Sequence, residues 1–124
     1  MQASWHGNAT LKLTAENGTS IVFDPFFSRN PNIKPFELKD IENVSAILVT
    51  HGHFDHVADL PFISSKLRKE IYAPEEVAHN LSSRLGVPVE FLHNADYGNE
   101  TQIGAFKIKP FKSRHVKFDL PLIA

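Results

Sequence analysis

Val44-Ser45-Ala46-Ile47-Leu48-Val49-Thr50 runs directly into His51-Gly52-His53-Phe54-Asp55-His56. The first seven residues form a short, nearly continuous apolar run, the pattern of a strand buried on both faces inside a layered α/β protein. The next six carry three imidazoles and a carboxylate. Open α/β sheets place their ligand sites at the C-terminal ends of such strands. His51 and His53 are two apart, so in an extended or tightly looped backbone both can face one way. Gly52 between them removes bulk and permits unusual backbone angles. Asp55 and His56 follow at once and can turn toward a second position nearby. The bland alternative is a set of solvated loop histidines, or a histidine capping a helix. Four such side chains packed this closely would repel or stay unpaired if buried without a cation. Neutral imidazole suits Zn, Fe, Mn, Ni or Cu, and the carboxylate is a hard oxygen ligand.

Upstream, Thr10-Leu11-Lys12-Leu13-Thr14 alternates apolar with polar, which predicts a half-buried strand. Glu16-Asn17-Gly18-Thr19 carries the Asn-Gly hairpin signal, and Ser20-Ile21-Val22-Phe23-Asp24 is the return strand. Pro25 stops it and opens a Pro/Asn-rich loop to Pro35, long enough to border a site. Downstream, Leu60, Ile63 and Leu67 have helical spacing within Val57 to Glu70. Pro61 fits only in a first turn, so this helix is expected to start near Ala58 or Asp59. Ile71-Tyr72-Ala73 predicts a strand, and Pro74-Glu75-Glu76 opens a second helix that Gly86 and Pro88 close. Val89-Glu90-Phe91-Leu92 predicts a short strand, Gly98-Asn99 a turn, and Phe106-Lys107-Ile108-Lys109 another strand. The order of elements indicates one domain of mixed α/β layers.

Composition narrows the chemistry further. The 124 residues include 13 Lys+Arg and 14 Asp+Glu, for a net charge of -1. That balance argues against a nucleic-acid or anionic-membrane surface. No apolar run approaches the ~20 residues of a membrane span, and the N-terminus has no secretory pattern, so the expected compartment is cytoplasmic. Cysteine is absent, which removes disulfides, thiolate zinc clusters and a cysteine nucleophile. No Gly-x-Ser-x-Gly elbow or phosphate loop is present. Imidazole and carboxylate are then the donors left for any transition metal.

His51-x-His53-x-Asp55-His56 after an apolar strand resembles the signature of the metallo-β-lactamase-fold hydrolases. Trp5-His6-Gly7-Asn8-Ala9-Thr10 looks like the opening strand of the ascorbate-6-phosphate-lactonase-like branch. Ile21-Val22-Phe23-Asp24-Pro25-Phe26 looks like its second strand. The resemblance implies half of an αββα sandwich, a mixed sheet with helices on one face. It implies a small-molecule substrate and one or two divalent ions, zinc first, with manganese or iron also compatible; His51, His53 and His115 would hold a first metal, and Asp55 and His56 a second. Asp55 would also be catalytic, holding the metal-bound hydroxide that cleaves an ester, lactone or phosphodiester bond. Asp24 fits a carboxylate that orients a ligand histidine. His6 lines the cleft or simply ends its strand; His79 reads as a surface residue and His93 as structural.

Length departs from the family pattern, whose fold has two similar halves. Asp119 follows His115 too soon to match the expected bridging carboxylate, and the chain ends on the apolar Leu120-Pro121-Leu122-Ile123-Ala124. Residues 1–124 are therefore expected to be a single N-terminal half-domain and a fragment of a longer product, able to bind metal through His51, His53 and His115 but a poor or inactive hydrolase on its own. The other outcomes are self-association or pairing with the missing C-terminal half. Two alternatives stand beside the hydrolase: a non-catalytic metal-binding half-domain acting through association, and a nuclease or phosphodiesterase of the same superfamily.

Overall fold

The expected Asn-Gly hairpin organises the first third of the chain. In the computed structural model, which describes residues 1–6, 9–26 and 38–111, strands β2 (Leu11–Thr14) and β3 (Ser20–Phe23) pair antiparallel with Leu13 opposite Ile21. Gly18 takes φ 90° at the turn, where a side chain would be strained. Strand β1 (Gln2–Trp5) adds antiparallel to β2. It ends at Trp5, the first residue of the stretch Trp5 to Thr10 in which the sequence pattern placed the opening strand. Beyond β3 the sheet turns parallel through β4 (Ala46–Leu48), β5 (Glu70–Ala73) and β6 (Leu92–Asn94). The six strands lie in chain order across one mixed sheet. All three residues of β4 are buried, as the apolar run requires.

Two short helices follow the central strand where one was expected. Helix α1 covers Phe54–Val57 and α2 covers Leu60–Lys66, with Pro61 in the first turn of α2. Proline has no N–H to bond to the preceding turn, so α1 cannot run on through it. Helix α2 ends at Lys66 because Leu67 is extended (φ -124°, ψ 116°), which frees Glu70 to enter β5. Helix α3 (Glu75–Ser83) begins after Pro74 with Glu75 and Glu76 in its first turn, where acids suit the helix dipole. Val89–Phe91, read as strand, is a 3-10 turn after Pro88, and the strand begins three residues later than its apolar start suggested. A second antiparallel pair, β7 (Thr101–Ile103) and β8 (Phe106–Ile108), completes the described elements.

The sheet separates two apolar layers. On one face Val22, Ile47 and Ile71 sit side by side in register and pack with Leu60 and Ile63 of α2 and Ala78 and Leu81 of α3. Each such aliphatic side chain contributes about 1.5–3 kcal/mol by leaving water. On the other face Ile21, Ala46 and Leu48 pack beneath Ile103 and Phe106 of the β7–β8 hairpin. The helices thus occupy one face, as expected, and a short second sheet covers the middle of the other. At the edge of that second face Trp5 stays 62% exposed. Among the described residues no helix is long and apolar enough to cross a membrane.

Candidate metal centre

Strand direction decides which side chains can meet. Two antiparallel steps make β1 run in the same sense as β3, and β3 to β6 are parallel. The C-terminal ends of β1, β3 and β4 therefore share one sheet edge. His6 follows β1, Asp24 follows β3, and Thr50-His51 follows β4 at that edge. This is the position at which an α/β sheet builds its sites.

Asp24 is the centre of the arrangement. It is 2% exposed and takes φ 46°, the left-handed region that aspartate tolerates better than most residues. Its backbone is held on both sides: its N–H donates to the Leu48 carbonyl at 2.8 Å, and its carbonyl accepts from the Thr10 hydroxyl at 2.8 Å. Thr10, fully buried, also accepts from the Phe26 N–H at 3.0 Å. The turn after β3 is thereby locked, and the carboxylate is turned toward the end of β4. Oδ1 accepts from the Thr50 N–H at 2.8 Å, and Oδ2 accepts from the Thr50 hydroxyl at 2.6 Å. Oδ2 also lies 2.9 Å from His56 Nδ1, a close polar contact without the alignment of a hydrogen bond.

The three histidines of the motif gather around this carboxylate. The His51 and His56 ring centroids are 3.8 Å apart, and those of His51 and His53 are 4.8 Å apart in an edge-on arrangement. His56 is buried, His51 half-buried and His53 exposed. Their order from interior to solvent matches their order from Asp24 outward. Helix α1 places His56 by a bond from its N–H to the His53 carbonyl at 2.9 Å. Gly52 does not use a left-handed backbone, contrary to the freedom its position suggested. A Cβ there would meet Val77 of α3 at 3.6 Å, an ordinary contact.

The donor chemistry fits a divalent ion. Imidazoles beside a carboxylate, with no thiolate, are donors for a divalent metal ion, and a buried carboxylate at the back of an imidazole is how metal-ligating histidines are oriented. Among the described residues, no three histidine or acidic side chains already converge as a metal cage. The Asp55 side chain and all of His115, two members of the expected ligand set, lie outside the described residues. His79 and His93 are remote from this edge cluster: His79 lies in α3, and His93 on β6 stacks on Tyr72 and contacts Glu70 at 2.6 Å. His6 sits at the same edge on the far side of β2, with Nε2 2.9 Å from the Ser4 hydroxyl. The residue that sequence reasoning missed is Thr50. Its only signal was a hydroxyl directly between the buried strand and the first histidine.

Residues 19–119 match the profile of a β-lactamase superfamily domain. A UPF0173 metal-dependent hydrolase from Rubrobacter xylanophilus is 33% identical over 109 residues, which cover 88% of this chain and 43% of that protein. Igni18, described as a metallo hydrolase from Ignicoccus hospitalis, superposes with a TM-score of 0.62 at 22% identity, over 82% of this chain and 42% of its own. The Rm3 metallo-beta-lactamase superposes with a TM-score of 0.58 at 20% identity, over 79% of this chain and 42% of its own. These superpositions show the fold. The chain spans less than half the length of the relatives it matches.

Proposed function

The chain belongs to the β-lactamase superfamily, and on that premise we propose that it serves a metal-dependent hydrolase that cleaves an ester, lactone or phosphodiester bond of a small-molecule substrate. The observation that carries this reading is that His51, His53 and His56 lie side by side at the C-terminal sheet edge, with His56 against the buried Asp24 carboxylate. In this reading His51, His53 and His115 hold one divalent ion, and Asp55 and His56 hold a second. Zinc is our first choice, with manganese and iron as alternatives. A divalent ion at such a site supplies a Lewis acid for the scissile oxygen and acidifies a water near neutral pH.

The protein's own groups do the rest. Asp24 holds His56 in place, and Thr50 ties Asp24 to His51. In this reading Asp55 is the catalytic carboxylate that would hold the attacking hydroxide. His6, at the same edge, is placed to meet a distal part of the substrate. The lactonase-like branch is our finer reading, resting on Trp5 to Thr10 and Ile21 to Phe26. We read the 124 residues as the N-terminal half of such a domain, in keeping with their share of each relative.

The test is direct. Zinc, manganese and iron content are measured in the protein and in His51→Ala, and both are assayed on lactone, carboxylic ester and phosphodiester substrates. Bound ion that is lost in His51→Ala is the expected result, together with ion-dependent turnover once the second half of the domain is supplied. Metal-free turnover, or undiminished turnover in His51→Ala, would refute the reading. One observation favours a second reading, a non-catalytic metal-binding half-domain that works through association: Trp5 is 62% exposed on edge strand β1. Light scattering of the metal-loaded protein separates the two, because that reading requires an oligomer without turnover.

A further inference from the structure

The hydroxyl of Thr50 has one proton to give, and its two neighbours determine where that proton goes. An ionised carboxylate can only accept. The 2.6 Å bond to Asp24 Oδ2 therefore uses the Thr50 proton. His51 Nδ1 lies 2.9 Å from the same Thr50 oxygen, which now has only lone pairs to offer. His51 must then donate from Nδ1, and a neutral imidazole that carries its proton on Nδ1 has its lone pair on Nε2. Asp24 thus sets the His51 imidazole through a single hydroxyl. The Thr50 N–H on Oδ1 holds the carboxylate plane and stops it from exchanging its two oxygens.

We propose that Thr50 is a positioning residue, whose hydroxyl transmits the acceptor character of Asp24 to His51 and fixes the His51 tautomer that presents Nε2 as the metal-binding nitrogen. This rests on the reading of His51 as a metal ligand, and it adds the residue that sets the ligand's proton. Serine at position 50 preserves the device and valine removes it. Asparagine at position 24 inverts it. The Thr50 N–H needs an acceptor, so the amide oxygen takes the place of Oδ1 and the NH2 group takes the place of Oδ2. The Thr50 hydroxyl then accepts from the amide and donates to His51 Nδ1, which moves the imidazole proton to Nε2.

The experiment reads the tautomer in metal-free protein, by long-range proton–nitrogen NMR correlation of the imidazoles at a pH where they are neutral. Far-UV circular dichroism confirms folding of each variant. His51 is expected to be protonated on Nδ1 in the parent and in Thr50→Ser, and on Nε2 in Asp24→Asn. Zinc affinity, from competition with a chromophoric chelator, is expected to fall about 10–100-fold in Asp24→Asn and Thr50→Val, the usual scale for an orienting partner, and less in Thr50→Ser. A parent protein with His51 protonated on Nε2 overturns the proposal, whatever the variants do. So does a folded Asp24→Asn variant that keeps the proton on Nδ1. If the tautomers behave as stated but zinc affinity does not change, the proton relay stands and the assignment of His51 as a ligand fails.

Discussion

Gly104 offers a clean measurement of how tightly the β7–β8 hairpin is docked. It sits at the hairpin turn with φ 55°, and a Cβ built there would overlap the Thr19 Cγ2 and lie 2.7 Å from Thr19 Oγ1 and 3.1 Å from Thr19 Cβ. Gly104→Ala therefore incurs two costs. The left-handed backbone costs about 1–2 kcal/mol for a residue with a Cβ, and the overlap costs about 1–3 kcal/mol because Thr19 belongs to a hairpin turn that cannot move far. Reduced freedom of the unfolded chain returns about 0.4–1 kcal/mol. The expected net loss is about 1–4.5 kcal/mol, or about 0.5–2 M in urea midpoint at a slope near 2 kcal/mol/M. The partner variant separates the terms. Thr19→Gly in the Gly104→Ala background removes the clash and leaves the backbone cost, so the double variant should be more stable than the sum of the singles by the overlap energy. Equilibrium urea unfolding followed by circular dichroism gives all four midpoints. A Gly104→Ala protein with the parent's midpoint, or a pair of strictly additive singles, would show that the hairpin does not rest on the β2–β3 turn as described.

Thr10→Val should cost about 1–3 kcal/mol in the same assay, since it leaves the Phe26 N–H without its acceptor and removes a donor to the Asp24 carbonyl; a neutral effect would mean that the corner is held elsewhere. Ile47→Ala, at a position 1% exposed between Val22 and Ile71, should cost about 2–5 kcal/mol, read as a lowered midpoint with an unchanged slope. His53→Ala, on an exposed ring, should leave the unfolding midpoint within about 0.5 kcal/mol of the parent while lowering bound zinc. Retained zinc would take His53 out of the ligand set. Chelation followed by dialysis should abolish turnover and leave the far-UV spectrum intact, because the apolar layers lie beneath the site, and divalent ion should restore turnover; collapse of the spectrum on chelation would make the ion structural.

The parts of the fold legible in the sequence were those in which one signal acted alone. The run Val44 to Thr50 is too apolar for anything but a buried strand, and the Asn17-Gly18 pair sets a hairpin locally. The histidine motif follows that strand, so its place at the sheet edge followed as well. Competing signals obscured the rest. The helical spacing of Leu60, Ile63 and Leu67 runs through Pro61, yet the proline's missing N–H separates α1 from α2, and Leu67 serves the core from an extended backbone. Val89 to Leu92 reads as strand by composition, but the Phe91 N–H bonds back to the Pro88 carbonyl and winds the first residues into a turn. Thr101–Ile103 is too short to show an alternation. The Asp24 carboxylate was visible as a strand-end acid, whereas Thr50 depends on a meeting of β3 and β4 that no local pattern encodes.

That meeting leaves position 24 with almost no latitude. Glutamate would bring the charge but not the tolerance for a positive φ, and glycine would accept the corner with nothing to hold out to Thr50. Asparagine would satisfy both the backbone and the first oxygen while reversing the polarity of the second. A saturation library screened for retention of the ion should therefore return a single codon family, and drift at this site during divergence would have to begin with its neighbours rather than with the acid itself.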